Sequence, residues 1–134
     1  MGVFSVPIRV TNWQNRFLLP DERGEDLTFG ALVDSGAVEL CLPEDLVERL
    51  RLVPLGTMAA ETADGRRHRL RVMGMAEVEV QGRRATVQVV ELPLGAQPLL
   101  GAIPLEEMDW HISSKERRLV VNPRSPDEPL LPLL

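Results

Sequence analysis

The strictest pattern in the sequence is an alternation of apolar and polar side chains between residues 77 and 89. It is interrupted only around a Gln81-Gly82 pair, and glycine readily adopts the backbone angles of a tight turn. Strict alternation is typical of a strand with one buried face. The segment therefore predicts a β-hairpin that packs one face against a core, and hence a fold built on a β-sheet.

A second turn is predicted at Asp64-Gly65, where it would join residues 59–63 to residues 68–72 in a projecting hairpin. Two short helices are predicted where proline and acidic residues precede or open an apolar stretch. These helices lie at 43–50 and 104–108. Further strands are predicted at 6–11, 27–33 and 118–121, and a long loop at 12–26. Strands outnumber helices, so the predicted fold is mainly β.

Length and charge narrow the class of protein. At 134 residues and 14.9 kDa the chain predicts one compact domain and leaves no room for a two-lobed enzyme. A net charge of -5 argues against a surface that follows nucleic acid phosphates. No apolar stretch approaches the roughly 20 residues that would span a bilayer, and no signal peptide is recognisable. We therefore expect a protein with no nucleic acid or membrane partner.

The cysteine and histidine residues offer little chemistry. Cys41 is the single cysteine, so it cannot form an intrachain disulfide, and a reducing cytoplasm suits the chain best. Its apolar neighbours predict a buried, unreactive thiol. His68 and His111 show no metal-ligand spacing, so we expect neither a metal site nor a cofactor.

The segment richest in reactive groups is an apolar strand, residues 31–33, that runs directly into Asp34, Ser35 and Gly36. A strand would hold this carboxylate rigidly, and the glycine would let the backbone turn sharply. The same three residues are also typical of a plain turn in which aspartate caps its own backbone. The triplet alone therefore leaves both interpretations open.

The order of several motifs resembles that of the retropepsin-like (clan AA) aspartic proteases, most closely their small bacterial members. The motifs are Ala31-Leu32-Val33-Asp34-Ser35-Gly36-Ala37, Leu42-Pro43 opening a helix, Thr62-Ala63-Asp64-Gly65 at a hairpin tip, Leu99-Leu100-Gly101 before another helix, and the closing residues 118–123. The resemblance runs from about Val3 to Pro123. It implies a closed or partly closed acid-protease β-barrel with two short helices over residues 1–123. The composition of residues 124–134 predicts a Pro- and Leu-rich tail, which would be either frayed or docked through its leucines on another chain.

The resemblance also assigns roles to individual residues. It makes Asp34 the catalytic aspartate, Ser35 a hydroxyl that hydrogen-bonds across the junction between subunits, and Gly36 the turn, with Ala37 completing the loop. The resemblance makes the segment Leu99, Leu100 and Gly101 the buttress of this loop. Thr62, Ala63, Asp64 and Gly65 would form the flap that closes over a bound peptide.

This chemistry needs two carboxylates that share a proton and activate one water, yet the chain contains one Asp-Ser-Gly. The second carboxylate must come from a second copy, which predicts a homodimeric aspartic endopeptidase acting on a peptide or protein substrate. Residues 3–6 and 119–121 are the expected interchain strands. The alternative is a non-catalytic dimeric β-barrel that binds peptides or partner proteins in the flap cleft. It is favoured by Val38, where the family commonly has a polar residue, and by a flap without aromatic residues.

Overall fold

A computed structural model describes residues 2–130 and 133. The strands among these residues are β1 (Gly2–Asn12), β2 (Leu27–Asp34), β3 (Leu40–Pro43), β4 (Val53–Glu61), β5 (Arg67–Val80), β6 (Arg83–Leu92), β7 (Leu99–Leu100), β8 (Trp110–Ser113) and β9 (Arg118–Val121). The α-helices are α1 (Glu44–Arg49) and α2 (Ala102–Glu107). The prediction of a mainly β fold with two short α-helices is confirmed.

The larger sheet of the described chain has seven strands in the order β1-β2-β7-β3-β6-β5-β4. The C-terminal part of β1 also pairs with β5, from Arg9 opposite Glu79 to Asn12 opposite Ala76. This second pairing curls the sheet into a partly closed ring that is not a barrel, and β4 extends from the ring. Of the two predicted forms, closed or partly closed, the structure has the second.

The core lies inside this ring and follows the alternation of the sequence. In β6 the side chains of Ala85, Val87 and Val89 are buried, and the intervening Thr86 and Gln88 are exposed. The predicted hairpin across Gln81-Gly82 is the β5–β6 pair. Fully buried side chains from the other elements complete the core: Ile8, Val10, Val33, Leu40, Leu42, Val47, Leu50, Val78, Val80, Leu100 and Met108.

Several boundaries differ from the prediction. Strand β1 begins at Gly2 instead of residue 6, β4 begins at Val53 instead of residue 59, and the strands predicted at 68–72 and from residue 77 are one strand, β5. The loop expected at residues 12–26 contains two 3₁₀ helices, Trp13–Phe17 and Pro20–Glu22. Helix α1 begins at Glu44, because Pro43 takes the extended N-cap conformation. Helix α2 begins two residues before Pro104, because the Ala102 and Ile103 N–H groups find acceptors outside the helix, in the carbonyls of Ala37 and Val38.

Residues 122–130 pack against the domain. The buried Arg83 guanidinium donates to the carbonyl oxygens of Met108, Asp109, Ser125 and Pro126, and its carbon lies 4.8 Å from the centre of the Trp110 ring. The Asp109 carboxylate accepts from the Ser125 hydroxyl and from the Leu130 N–H. These contacts anchor the first part of the Pro- and Leu-rich segment to its own chain.

Candidate active site

Asp34 is the last residue of β2 and follows the fully buried Val33. Strand β2 pairs with β1 along its whole length, and the register places Asp34 opposite Gly2. The Asp34 side chain is half-buried. A carboxylate at the end of a paired strand is thus held by the sheet while it remains accessible to water.

The residues after Asp34 form a tight turn. The Gly36 N–H donates to Asp34 Oδ1 at 2.9 Å, and the Ala37 N–H donates to the Asp34 carbonyl oxygen at 3.1 Å. Ser35 and Gly36 are exposed, and Ala37 is half-buried. The first hydrogen bond fixes the orientation of the carboxylate.

A second segment supports this turn from the side. In β7, Leu99 and Leu100 pair in parallel with Leu32 and Val33 and antiparallel with Leu40 and Cys41. The Leu32 N–H also donates to the Pro98 carbonyl oxygen at 2.9 Å. Strand β7 thus lies between the strand that leads into Asp34 and the strand that leaves its loop.

Gly101 is the closest point between the two segments. A Cβ atom added there would lie 2.3 Å from the Glu39 carbonyl oxygen and 2.7 Å from that of Ala37. The next residues donate to the same loop, Ala102 N–H to the Ala37 oxygen and Ile103 N–H to the Val38 oxygen, both at 2.8 Å. The chain therefore brings residues 34–37 and 99–101 together, and only glycine fits at the contact.

Thr62, Ala63, Asp64 and Gly65 lie in the turn of the β4–β5 hairpin. The Asp64 carboxylate accepts from the Thr62 hydroxyl and from the Arg66 N–H, and these bonds lower the pKa of Asp64. Gly65 has a φ of +82°, which glycine adopts without strain. The hairpin leaves the ring beyond Val72, which pairs with Val90, and β4 is exposed along almost all of its length.

Two groups near Asp34 have raised pKa values. Burial and the nearby Glu107 carboxylate raise the pKa of Glu39. Burial, together with the nearby charges of Glu39 and Asp34, raises the pKa of the Cys41 thiol to about 11. Because Cys41 is buried and its thiol donates to the Glu39 carbonyl oxygen at 3.6 Å, it is not an activated nucleophile.

Glu39 is a residue that sequence reasoning missed. It is half-buried in the loop between Asp34 and β3, beside the carbonyl that contacts Gly101. Its sequence signal is weak, since it is one acid among 20 Asp and Glu residues. Only its position between the Asp-Ser-Gly triplet and a fully buried strand distinguishes it.

Two large pockets lie elsewhere in the described chain. One, of about 620 Å³, lies between α1 and the base of the β4–β5 hairpin, and the other, of about 640 Å³, is lined by Trp110, His111 and Leu130. Asp34 belongs to neither pocket.

The described residues contain no cluster of three or more His, Cys, Asp or Glu side chains that could hold a metal ion. None of the described helices has the length and apolar character needed to cross a membrane.

Comparison with known proteins agrees with this geometry. A family model described as gag-polyprotein putative aspartyl protease matches residues 24–107, a range that contains the Asp34 loop, the β4–β5 hairpin and the Gly101 segment. No curated protein matches the chain. Because the model covers more than half of the sequence, the chain belongs to this retropepsin-like family of aspartic proteases.

Proposed function

We propose that the protein is an aspartic endopeptidase that acts as a homodimer and hydrolyses peptide bonds in a peptide or protein substrate. The observation that carries the proposal is the Asp34 loop, a carboxylate oriented by the Gly36 N–H and braced by the Gly101 segment. Family membership supports the reaction class. Our proposal extends to the small bacterial type and to a reducing, cytoplasmic setting for a chain with one buried thiol.

The proposed chemistry uses Asp34 from each of two protomers. Two carboxylates at close range share one proton, because both cannot be ionised together. The ionised member removes a proton from water, whose oxygen attacks the peptide carbonyl carbon, while the protonated member donates to the carbonyl oxygen. Transfer of a proton to the leaving nitrogen then breaks the C–N bond and yields a carboxylate and an amine.

The dimer would form where strands of the described chain have an unpaired edge. Over residues 2–8, β1 pairs with β2 along one edge only, because its pairing with β5 begins at Arg9. Residues 119–121 pair with β8 on one side. Open strand edges readily pair with a second chain, and the exposed Ser35 hydroxyl near the end of β1 supports a contact there.

The β4–β5 hairpin is the proposed flap. It leaves the ring beyond Val72 and exposes most side chains of both strands as far as its tip at Thr62–Gly65. An element with few packing contacts can move at low cost in free energy. We propose that it closes over the bound peptide and excludes bulk water, while the water molecule that attacks the peptide bond stays between the two carboxylates.

The test is cleavage of a peptide library by wild-type protein and by Asp34→Asn. The substitution removes the base from both protomers but keeps the shape of the side chain, so we expect cleavage to fall by about a thousandfold or more. Asp45→Asn, on the exposed face of α1, is the matched control and should cleave like wild type. Cleavage by wild type should also show a bell-shaped dependence on pH, since the pair needs one proton and only one.

Near-normal cleavage by a folded Asp34→Asn protein would contradict the proposal. So would a wild-type protein that binds library peptides without cleaving any of them, because that is the behaviour of a binding module.

A further inference from the structure

The β4–β5 hairpin carries an unusual concentration of arginine. Between residues 53 and 72 the sequence has four arginines, Arg66, Arg67, Arg69 and Arg71, against two acids, Glu61 and Asp64. The whole chain has the opposite balance, with a net charge of -5. The hairpin is therefore a positively charged projection on an acidic protein.

Three of these arginines share one face of the hairpin. Arg67, Arg69 and Arg71 occupy alternate positions of β5, and all three are exposed. Alternate residues of a strand point to the same side and lie about 7 Å apart. We call this set the arginine face.

Only part of the arginine face is neutralised by the protein itself. The Arg71 guanidinium donates two hydrogen bonds to the Glu91 carboxylate, both at 2.8 Å. Arg69 donates to the neutral Thr57 hydroxyl at 3.2 Å. Within the described residues no carboxylate lies within ion-pair distance of Arg67 or Arg69. Both guanidinium groups can therefore accept an outside anion.

The opposite face of the hairpin is different in kind. The register places Met58 opposite Leu70 and Ala60 opposite His68. These side chains are mostly apolar. The charged and apolar side chains of the hairpin therefore lie on opposite faces, as the two-residue period of a strand requires. On the arginine face, the β4 residues opposite Arg69 and Arg71 are Ala59 and Thr57, and Glu61 is opposite Arg67.

The arginine face adjoins the start of the segment that connects β6 to β7. Arg69 and Arg71 line a shallow cavity of about 220 Å³ together with Leu70, Leu92, Pro93 and two carboxylates, those of Glu44 and Glu91. Residues 93–98 connect β6 to β7, which braces the Asp34 loop.

We propose that the arginine face selects substrates with acidic side chains at alternate positions, an inference that rests on the proposed endopeptidase function. Guanidinium groups bind carboxylates through paired hydrogen bonds, and an extended peptide presents every second side chain at the same spacing of about 7 Å as the arginines. Arg67 and Arg69 bind the acids, and Arg71, held by Glu91, sets the position of the strand.

The test compares three short labelled peptides of the same length that differ only at the positions of two acidic residues. One carries two glutamates at alternate positions, one carries them side by side, and one has glutamine in their place. Binding is measured on Asp34→Asn protein and cleavage on wild type. We expect the alternating peptide to bind and to be cleaved about fivefold better than the glutamine peptide, a preference that shrinks in high salt. The side-by-side peptide should fall between them.

Two variants with the same change in net charge separate recognition from general electrostatics. Arg67→Gln/Arg69→Gln should abolish the preference, measured within the variant as the ratio of binding of the alternating peptide to binding of the glutamine peptide. Arg84→Gln/Arg118→Gln removes two exposed arginines from other strands and should retain the preference.

Equal binding of all three peptides, or equal loss in both double variants, would overturn the inference. Tighter binding of single-stranded DNA of matched charge would also overturn it. If wild type cleaves nothing while Asp34→Asn protein still prefers the alternating peptide, acid recognition stands and the endopeptidase proposal fails. If wild type cleaves all three peptides equally, the endopeptidase proposal stands and acid recognition fails.

Discussion

At the scale of single residues, Gly101 determines whether the Asp34 loop can form. Gly101→Ala would place a methyl group 2.3 Å from the Glu39 carbonyl oxygen, so the loop must move. We expect a loss of about 2 kcal/mol in unfolding free energy, typical of overpacking, together with a large loss of cleavage. Urea unfolding and peptide cleavage measure the two effects.

The control for this variant lies on the strand that carries Asp34. Gly30→Ala adds the same methyl group where no atom lies within 4 Å, so its stability and activity should stay near those of wild type. If Gly101→Ala behaved like Gly30→Ala, the close contact would not support the loop.

Asp109 is the residue whose charge anchors the chain beyond β9. Hydrogen bonds from the Ser125 hydroxyl, the Leu130 N–H and Asn122 lower the pKa of Asp109 below its usual value. A lowered folded-state pKa adds stability that is complete above about pH 5 and is lost as the pH falls through the folded value. Asp109→Asn should therefore be less stable than wild type at neutral pH, and the difference should shrink near pH 3.

Urea unfolding at both pH values tests this expectation. Asp127→Asn, an exposed change in the same segment, should match wild type throughout. A gap between Asp109→Asn and wild type that is equal at both pH values would rule out titration of Asp109 as its cause.

At the scale of elements, the two hairpins have opposite environments. The β5–β6 pair buries one face, whereas the β4–β5 pair is largely exposed on both faces. Amides in residues 57–61 and 67–71 should therefore exchange with solvent faster than those in residues 77–80 and 85–89. Hydrogen exchange measured without peptide tests this, and equal protection of the two hairpins would contradict a mobile flap.

The same contrast explains which elements could be predicted from the sequence. Strands β5 and β6 have one buried face, so their alternation is visible, and Gln81-Gly82 marks their turn. Strand β3 was missed because all four of its residues are buried between β6 and β7, and no alternation remains. Strand β8 was also missed, since only its pairing with β9 defines it.

The candidate site was predictable only in part, for a similar reason. Asp34 and Gly101 stand in recognisable motifs, but the contacts that join their segments are made by backbone groups of Ala37, Val38 and Ala102. Backbone hydrogen bonds place little restriction on side-chain type. The motifs of Asp34 and Gly101 can therefore be recognised in the sequence, but the backbone hydrogen bonds between their segments cannot.

At the scale of the whole molecule, the proposed site needs two chains, and mixing experiments test this directly. Asp34→Asn protein added in equal amount to wild type would exchange protomers and form mixed dimers with one carboxylate. Cleavage by the wild-type protein already present should then fall to about half. Asp45→Asn protein added in the same way should not lower it.

A protein that acts as a monomer would not respond to added Asp34→Asn protein. Light scattering that finds only a 14.9 kDa species under the assay conditions would agree with that outcome and exclude the shared site.

The pairing of Gly2 with Asp34 has a practical consequence for handling this protein. Neighbouring strands lie about 5 Å apart, so any residues joined ahead of Gly2 leave the sheet beside the candidate catalytic carboxylate. A purification tag fused there would compete with a bound peptide for the same space or disrupt the proposed contact between protomers. Cleavage rates measured on such a fusion would reflect the tag as well as the protein, and removal of the tag should raise them.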